Sequence, residues 1–261
     1  MIYIYKKKAM GSDILTQREL RRYLHQIDLP SVGVKGQEKI KQARVLVIGA
    51  GGKGTALLQN LVASGVGTLG ISDNTMVTDE FLPNQRLFGD ADLGKQKAIL
   101  SKQKLKEINH QVQIELYNIC LTPANIVNVL KDYDVIADAS DNFATHYLVG
   151  DTAIEFGKPV VYGSIYGALS QVSVFNYQGG ASFRSLYPSK PPANMHKPDD
   201  GMVSAGIVSV LTGTIMANET LKIILGLHNT LSGKLLTFNT ADYQSEIKVF
   251  ENKTNNFTGG K

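Results

Sequence analysis

A chain of 261 residues with 43% hydrophobic side chains suits one large α/β domain or two small ones and carries enough apolar material for a sizeable core. Its net charge of +4, with six arginines among 27 basic residues, fits an anionic small ligand or an acidic partner and is only weak evidence for nucleic acid, which is not expected as a partner. The single cysteine, Cys120, excludes an intrachain disulfide framework and any multi-cysteine zinc site, and sets the expectation of a cytoplasmic protein.

Taken in order, residues 1–14 read as a frayed leader: Lys6-Lys7-Lys8 is not followed by the apolar run of a secretory signal. Leu15 to Leu24 predicts a polar helix, capped by Thr16 with Glu19 at the third position. Gly36 to Ala43 predicts a second, short one. The β-branched run Val45 to Ile48 then breaks into the glycine cluster Gly49-Ala50-Gly51-Gly52-Lys53-Gly54. Leu57, Leu58, Leu61 and Val62 follow at helical spacing. This strand–turn–helix carries G-x-G-x-x-G: Gly49 makes the turn, Gly51 lets backbone approach a phosphate, and Gly54 packs helix on strand. The helix start offers free N–H groups to an anion. Asp73 closes the next strand, Thr68 to Ser72, where a carboxylate can hold ribose hydroxyls.

Asn74 to Asp92 predicts a loop and Gly94 to Ile108 a helix, whose lysines read as a solvated face apart from Lys97. Strands at Val112 to Tyr117 and Asp134 to Asp138 flank a helix over Pro123 to Leu130. The second strand runs into Ala139-Ser140-Asp141-Asn142 and a helix to Phe156. Pro159 to Gly163 and Gln171 to Asn176 predict further strands, and Gln178 to Met202 a long functional loop. Val203 to Leu225 is apolar enough to raise a membrane span, but Asn218, Glu219 and Lys222 interrupt it. Its many small residues predict a buried or dimer-interface helix instead, with no membrane partner. Lys234 to Phe238 and Gln244 to Phe250 predict final strands, and residues 252–261 form a polar tail. The fold class is therefore a Rossmann-like doubly wound, mostly parallel sheet with a C-terminal extension, as one domain over 15–251. Gly49, Asp73 and Asp141 all fall at strand ends, where such sheets bind ligands.

Two ligands fit the turn and Asp73: a nicotinamide dinucleotide, or ATP. Nothing singles out an acid–base group for hydride transfer. The ATP reading uses more of the chain, since Asp141 can hold Mg²⁺, a hard cation suited to carboxylate and phosphate oxygens, and Lys97 can reach a phosphate.

Several motifs resemble the MoeB/ThiF/HesA family, relatives of ubiquitin-activating enzymes. They are Arg22-Tyr23-x-x-Gln26, Gly49-x-Gly51-Gly52-x-Gly54, Asp73, Asp90-x-Asp92-Leu93-Gly94-Lys95-x-Lys97, Asp138-x-x-Asp141-Asn142-Phe143-Ala144-Thr145 and Glu219-x-x-Lys222. The resemblance runs from about Glu19 to Phe250. It implies a homodimer that binds ATP·Mg²⁺ and adenylates the C-terminal carboxylate of a ubiquitin-like sulfur-carrier protein or a peptide. By position, Gly49, Gly51, Gly52 and Gly54 cradle phosphates, Asp73 holds ribose, Lys97 meets phosphate, Asp141 serves Mg²⁺, and Asn84 and Asn142 line the nucleotide.

The chain departs from the family at charged positions. An arginine that reaches the partner subunit's triphosphate is replaced by His25, another by Asn84, and the one after the Asp-Asn pair by His146. Arg86, two residues beyond Asn84, shares its face if the segment is extended, and with His25 is the expected substitute. The zinc-binding Cys-x-x-Cys reads Ser182-Phe183-Arg184-Ser185, so no zinc is expected. The crossover loop offers no cysteine for a thioester. The rival to an adenylyltransferase is a nucleotide-binding scaffold without catalysis.

Overall fold

The computed structural model describes residues 12–190 and 205–251. The expected leader and polar tail therefore lie almost wholly outside the described residues, as does most of the second half of the 178–202 loop. Residues 12–14 are held rather than frayed: Ser12 Oγ donates to Glu38, and Ile14 O accepts from Lys41 Nζ at 2.7 Å.

The chain builds α1 (Gln17–Arg22), α2 (Leu24–Ile27), α3 (Gly33–Gln42), β1 (Arg44–Ile48), α4 (Gly52–Ser64) and β2 (Thr68–Ser72). There follow α5 (Lys97–Ile108), β3 (Gln113–Tyr117), α6 (Ile126–Leu130), β4 (Val135–Asp138), α7 (Phe143–Glu155), β5 (Val160–Tyr166) and β6 (Leu169–Phe175). Last come α8 (Phe183–Leu186), α9 (Ala205–Leu225), β7 (Lys234–Asn239) and β8 (Ser245–Val249). The predicted capping box forms, with Thr16 Oγ1 accepting from Glu19 N and Glu19 Oε2 accepting from Thr16 N. The single helix expected there is broken at Tyr23, whose buried ring lies under Gly65 and whose hydroxyl accepts from Asn109 Nδ2 at 2.8 Å. The lysines of α5 are less uniform than a solvated face: Lys97 is buried, and Lys104 pairs with Asp92 at 2.6 Å.

The sheet order is β3-β2-β1-β4-β5-β6-β7-β8, parallel through β5 and antiparallel beyond it. Pleating sends alternate residues of β1 to opposite faces. Val45 and Val47 join the core under α4 and α9, while Leu46 and Ile48 join the one under α6 and α7. Both faces are covered, which is why the strand reads as a continuous apolar run. Chain connections leave β1 on one side toward β2 and on the other toward β4, so the order reverses between β1 and β4, and a crevice opens at their carboxyl ends.

The apolar segment Gly206–Leu225 has the length and hydropathy of a spanning helix, and half of it is buried inside the chain. In α9, Glu219 is 2% exposed, paired with Lys222 at 2.7 Å and accepting from Leu231 N at 2.7 Å. The charges that interrupt the run thus tie the helix to the chain after it. Close approach of α9 to α4 depends on Gly213, where an added Cβ would stand 2.2 Å from the Lys53 carbonyl oxygen. Gly213→Ala should therefore destabilise by about 1–3 kcal/mol through overpacking, read as a lower urea midpoint at unchanged slope.

Candidate functional site

The glycine turn works as its spacing demands. Gly49 has φ +92°, and a Cβ there would meet the Ala139 carbonyl oxygen at 2.9 Å. A Cβ on Gly54 would lie 1.9 Å from the Gly49 carbonyl oxygen, so the first turn of α4 rests directly on the end of β1. Gly51 faces open space, and Gly52 is pressed against Asn84 O and Ser209, each 2.8 Å from its hypothetical Cβ. The turn is thus hemmed in on three sides and open on the fourth, where a ligand approaches.

That opening is a crevice of about 890 Å³ lined by Gly49, Gly51, Gly52, Lys53, Asp73, Asn84, Lys97, Asp141 and Asn142, among others. The size is usual for a small-molecule site. Asp73 is held on both oxygens: Oδ2 accepts from Ala50 N at 2.7 Å, Oδ1 from Thr75 N at 2.7 Å and Thr75 Oγ1 at 2.6 Å. Of the roughly four lone-pair sites of a carboxylate, one on Oδ2 remains for a hydroxyl donor. Lys97, the first residue of α5, is buried with Nζ 5.7 Å from the centre of the Phe81 ring. Asn142 caps α7, accepting from Thr145 N at 2.9 Å. Helix capping therefore falls to Asn142, and Asp141 is left exposed at the crevice. Thr78 Oγ1 and Gln85 Oε1 are buried near the same wall without a hydrogen-bond partner among the described residues, and buried polar groups of this kind call for one.

Two expected residues, Gly54 and Arg86, do not line the crevice, Gly54 being buried under the turn. Asp79–Asn84 is a 3₁₀ helix within the expected loop, so the extended backbone that would set Arg86 on the same face as Asn84 is not there. Arg86 is exposed outside the crevice lining, and His25, expected to serve the partner subunit's site, is exposed on α2. Conversely, residues not picked out from the sequence line the crevice: Lys53, Thr78, Gln85, Ile119, Cys120 and the stretch Ser164–Gly167. Of these, only Lys53 left a signal, as a charge inside the glycine cluster.

Beneath the crevice lies a buried charge system. Asp138, 1% exposed at the end of β4, meets His146 Nδ1 at 2.7 Å and accepts from Ser140 Oγ at 2.6 Å. Burial pushes its carboxyl up, but His146 and the Ser140 donors outweigh burial and hold it below the ordinary range. Lys53 Nζ donates to the Ser140 carbonyl oxygen at 2.8 Å. Burial pushes this ammonium down to about 8, against the opposing pull of Asp138 and Asp141.

Where zinc-binding cysteines were expected to be replaced, Ser182 and Ser185 face each other at 3.2 Å, and Phe183 is buried among Phe143, Tyr147, Tyr162, Phe175 and Tyr187. Arg184 clamps Asp151 with two bonds of 2.7 Å. Aromatic packing and this fork hold the start of the loop. Among the described residues no cluster of three or more His, Cys, Asp or Glu forms. Asp141 fits Mg²⁺ nonetheless, because that ion is usually held by one or two carboxylates with phosphate oxygens and water.

A doubly wound sheet, a glycine turn feeding a helix N-terminus, a carboxylate at the end of the neighbouring strand and a lysine lining the same crevice define a nucleotide-binding α/β protein. More narrowly, the chain belongs to the ThiF family, whose model matches residues 23–258. It is 40% identical over 232 residues to the sulfur carrier protein adenylyltransferase of Thermus thermophilus, covering 87% of this chain and 86% of that one. It is also 40% identical to the probable adenylyltransferase/sulfurtransferase MoeZ of Mycobacterium tuberculosis, but spans only 59% of that longer protein. Among solved structures, PaaA matches with a TM-score of 0.77 at 23% identity, covering 93% of this chain and 86% of that one. Escherichia coli MccB with ATP matches at 0.76 and 18%, covering 94% and 74%. These two show the shared fold.

The Asp138–His146 pair yields a test. Asp138 titrates lower in the folded chain than unfolded, so its stabilisation is full above about pH 4 and is lost as pH falls through its folded value. His146→Ala should cost about 1–3 kcal/mol at pH 7, because it leaves a buried oxygen of Asp138 without its partner, and the gap to the parent should close in acid. A gap measured by urea unfolding that stays constant down to pH 3 would assign the effect to packing.

Proposed function

We propose that this protein is an ATP-dependent adenylyltransferase that activates the C-terminal carboxylate of a ubiquitin-like sulfur-carrier protein, or of a peptide, as a cytoplasmic homodimer. The observation that carries the reading is the meeting of the glycine turn, Asp73, Lys97 and Asp141 in one strand-end crevice. The 40% identity to a named sulfur carrier protein adenylyltransferase supports the substrate class. A face of α9 that includes Ile207, 55% exposed, is available to a second copy.

In this reaction a carboxylate oxygen attacks the α-phosphorus of ATP, an acyl–phosphate bond forms, the α–β phosphoanhydride bond breaks, and pyrophosphate leaves with that bond's electrons. The chain supplies position and charge rather than covalent chemistry. Backbone N–H groups at the start of α4 face the phosphates, Asp73 orients the ribose, and Lys97 offsets charge on the departing oxygens. Mg²⁺, when bound at Asp141, neutralises further phosphate charge.

ATP–pyrophosphate exchange is expected from the parent when a carrier protein is supplied, and Asp141→Ala should lower it by at least about tenfold. A scaffold reading draws on the position of Arg86 outside the crevice. A parent that binds ATP yet exchanges with no carrier or peptide would establish the scaffold. We also propose that the protein holds no structural zinc, because Ser182 and Ser185 offer neutral hydroxyls where thiolates bind that ion. Elemental analysis should return far less than one zinc per chain, and a stoichiometric value would overturn the assignment.

A further inference from the structure

We propose that Lys53 is a phosphate ligand of the crevice, its ammonium donating to a non-bridging oxygen of the bound nucleotide's triphosphate. The proposal rests on the ATP reading above and extends it to a residue that neither the turn motif nor the family resemblance assigns.

Lys53 lies in the first turn of α4, beside the open Gly51. Its neighbours Thr55, Ala56, Leu57 and Leu58 are buried, and an apolar side chain would suit the place. Instead it holds a lysine that is 8% exposed, and lysine is almost never so buried unless paired. Its hydrogen bond among the described residues goes to a neutral acceptor, the Ser140 carbonyl oxygen at 2.8 Å. An ammonium has three donors, so two N–H groups are unspent.

The surrounding carboxylates are engaged elsewhere or only distantly involved. Asp138, on β4, is bound by His146 of α7 and by Ser140. Asp73, at the end of β2, has both oxygens on Ala50 and Thr75. Asp141 attracts Lys53 but forms no ion pair with it, and Lys97 on α5 adds like charge to the same crevice. The depression of the Lys53 ammonium to about 8 is what an under-compensated buried cation gives. A cation left short of negative charge, beside a helix N-terminus that also favours an anion, is arranged for a polyanion to complete it. Triphosphate is the anion that the adjoining turn already receives.

The rival role for Lys53 is a pin that fixes the Ser140 carbonyl and with it Asp141. Charge and position separate in two variants: Lys53→Met removes both the charge and the bond to Ser140, and Lys53→Gln removes the charge while keeping an amide donor. Each is titrated with ATP by calorimetry and with adenosine by ligand-observed NMR, alongside thermal unfolding to establish that it is folded. Both variants should bind ATP at least tenfold more weakly while adenosine affinity stays within twofold of the parent, and the salt dependence of ATP binding should become shallower. If Lys53→Gln binds ATP as the parent does, or if ATP and adenosine weaken together, Lys53 is a pin and the proposal is overturned. A parent that binds adenosine but gains nothing from the triphosphate overturns the ATP reading itself, a result distinct from either.

Discussion

The contact between the end of β1 and the first turn of α4 governs the rest of the molecule. With 1.9 Å between a hypothetical Gly54 Cβ and the Gly49 carbonyl oxygen, no side chain fits there. The helix can therefore sit low over the switch point between β1 and β4, its unpaired N–H groups aimed into the crevice. Asp73 fastens the same turn from the neighbouring strand through Ala50 N. On the far side, α9 closes on α4 through Gly213, and Gly52 is pressed between Ser209 and Asn84. The turn is consequently shaped by several elements at once, and its open face is formed before any ligand arrives, which lowers the ordering cost of binding.

Charge is distributed around this turn by replacement rather than by loss. Where the family places an arginine after the Asp-Asn pair, His146 holds Asp138 with a single short bond, and the ammonium of Lys53 stands in the glycine cluster within electrostatic reach of Asp138. An arginine fork is always charged and bidentate, and neither a histidine nor a lysine reproduces it alone. Lys53 places positive charge at the crevice, while His146 serves Asp138 as a hydrogen-bond partner. Ser140 couples the two, since its hydroxyl donates to Asp138 while its carbonyl accepts from Lys53.

The antiparallel half of the sheet serves a different end. Strands β5 to β8 extend the sheet away from the crevice, yet Ser164–Gly167, at the turn from β5 into β6, come back to line it. Nearby, the aromatic group around Phe183 takes up the segment that leads into the long loop. Ring pairs at 5–6 Å in edge and tilted geometries secure this entry by dispersion and quadrupole contacts.

The alternation of strands and helices, the glycine turn and the strand-end acids were legible because each depends on local pattern: the pleat, the helical repeat, and the few residues that permit a tight turn. Asp73, Lys97 and Asp141 could be placed at strand or helix ends, and those ends share one side of a parallel sheet. What the sequence could not settle depends on contacts between distant segments. The break at Tyr23 comes from its packing under Gly65 and its bond to Asn109. The 3₁₀ turn at Asp79–Asn84, carrying Pro83, turned Arg86 out of the crevice where an extended strand would have aligned it with Asn84. Lys53 was visible as a letter among glycines, but its direction, its burial and its partner Ser140 came only from the packing of α4 over β4, 87 positions away in sequence. Local propensity fixes the turns and the strand ends; which side chains face the ligand is decided by the side on which distant elements close.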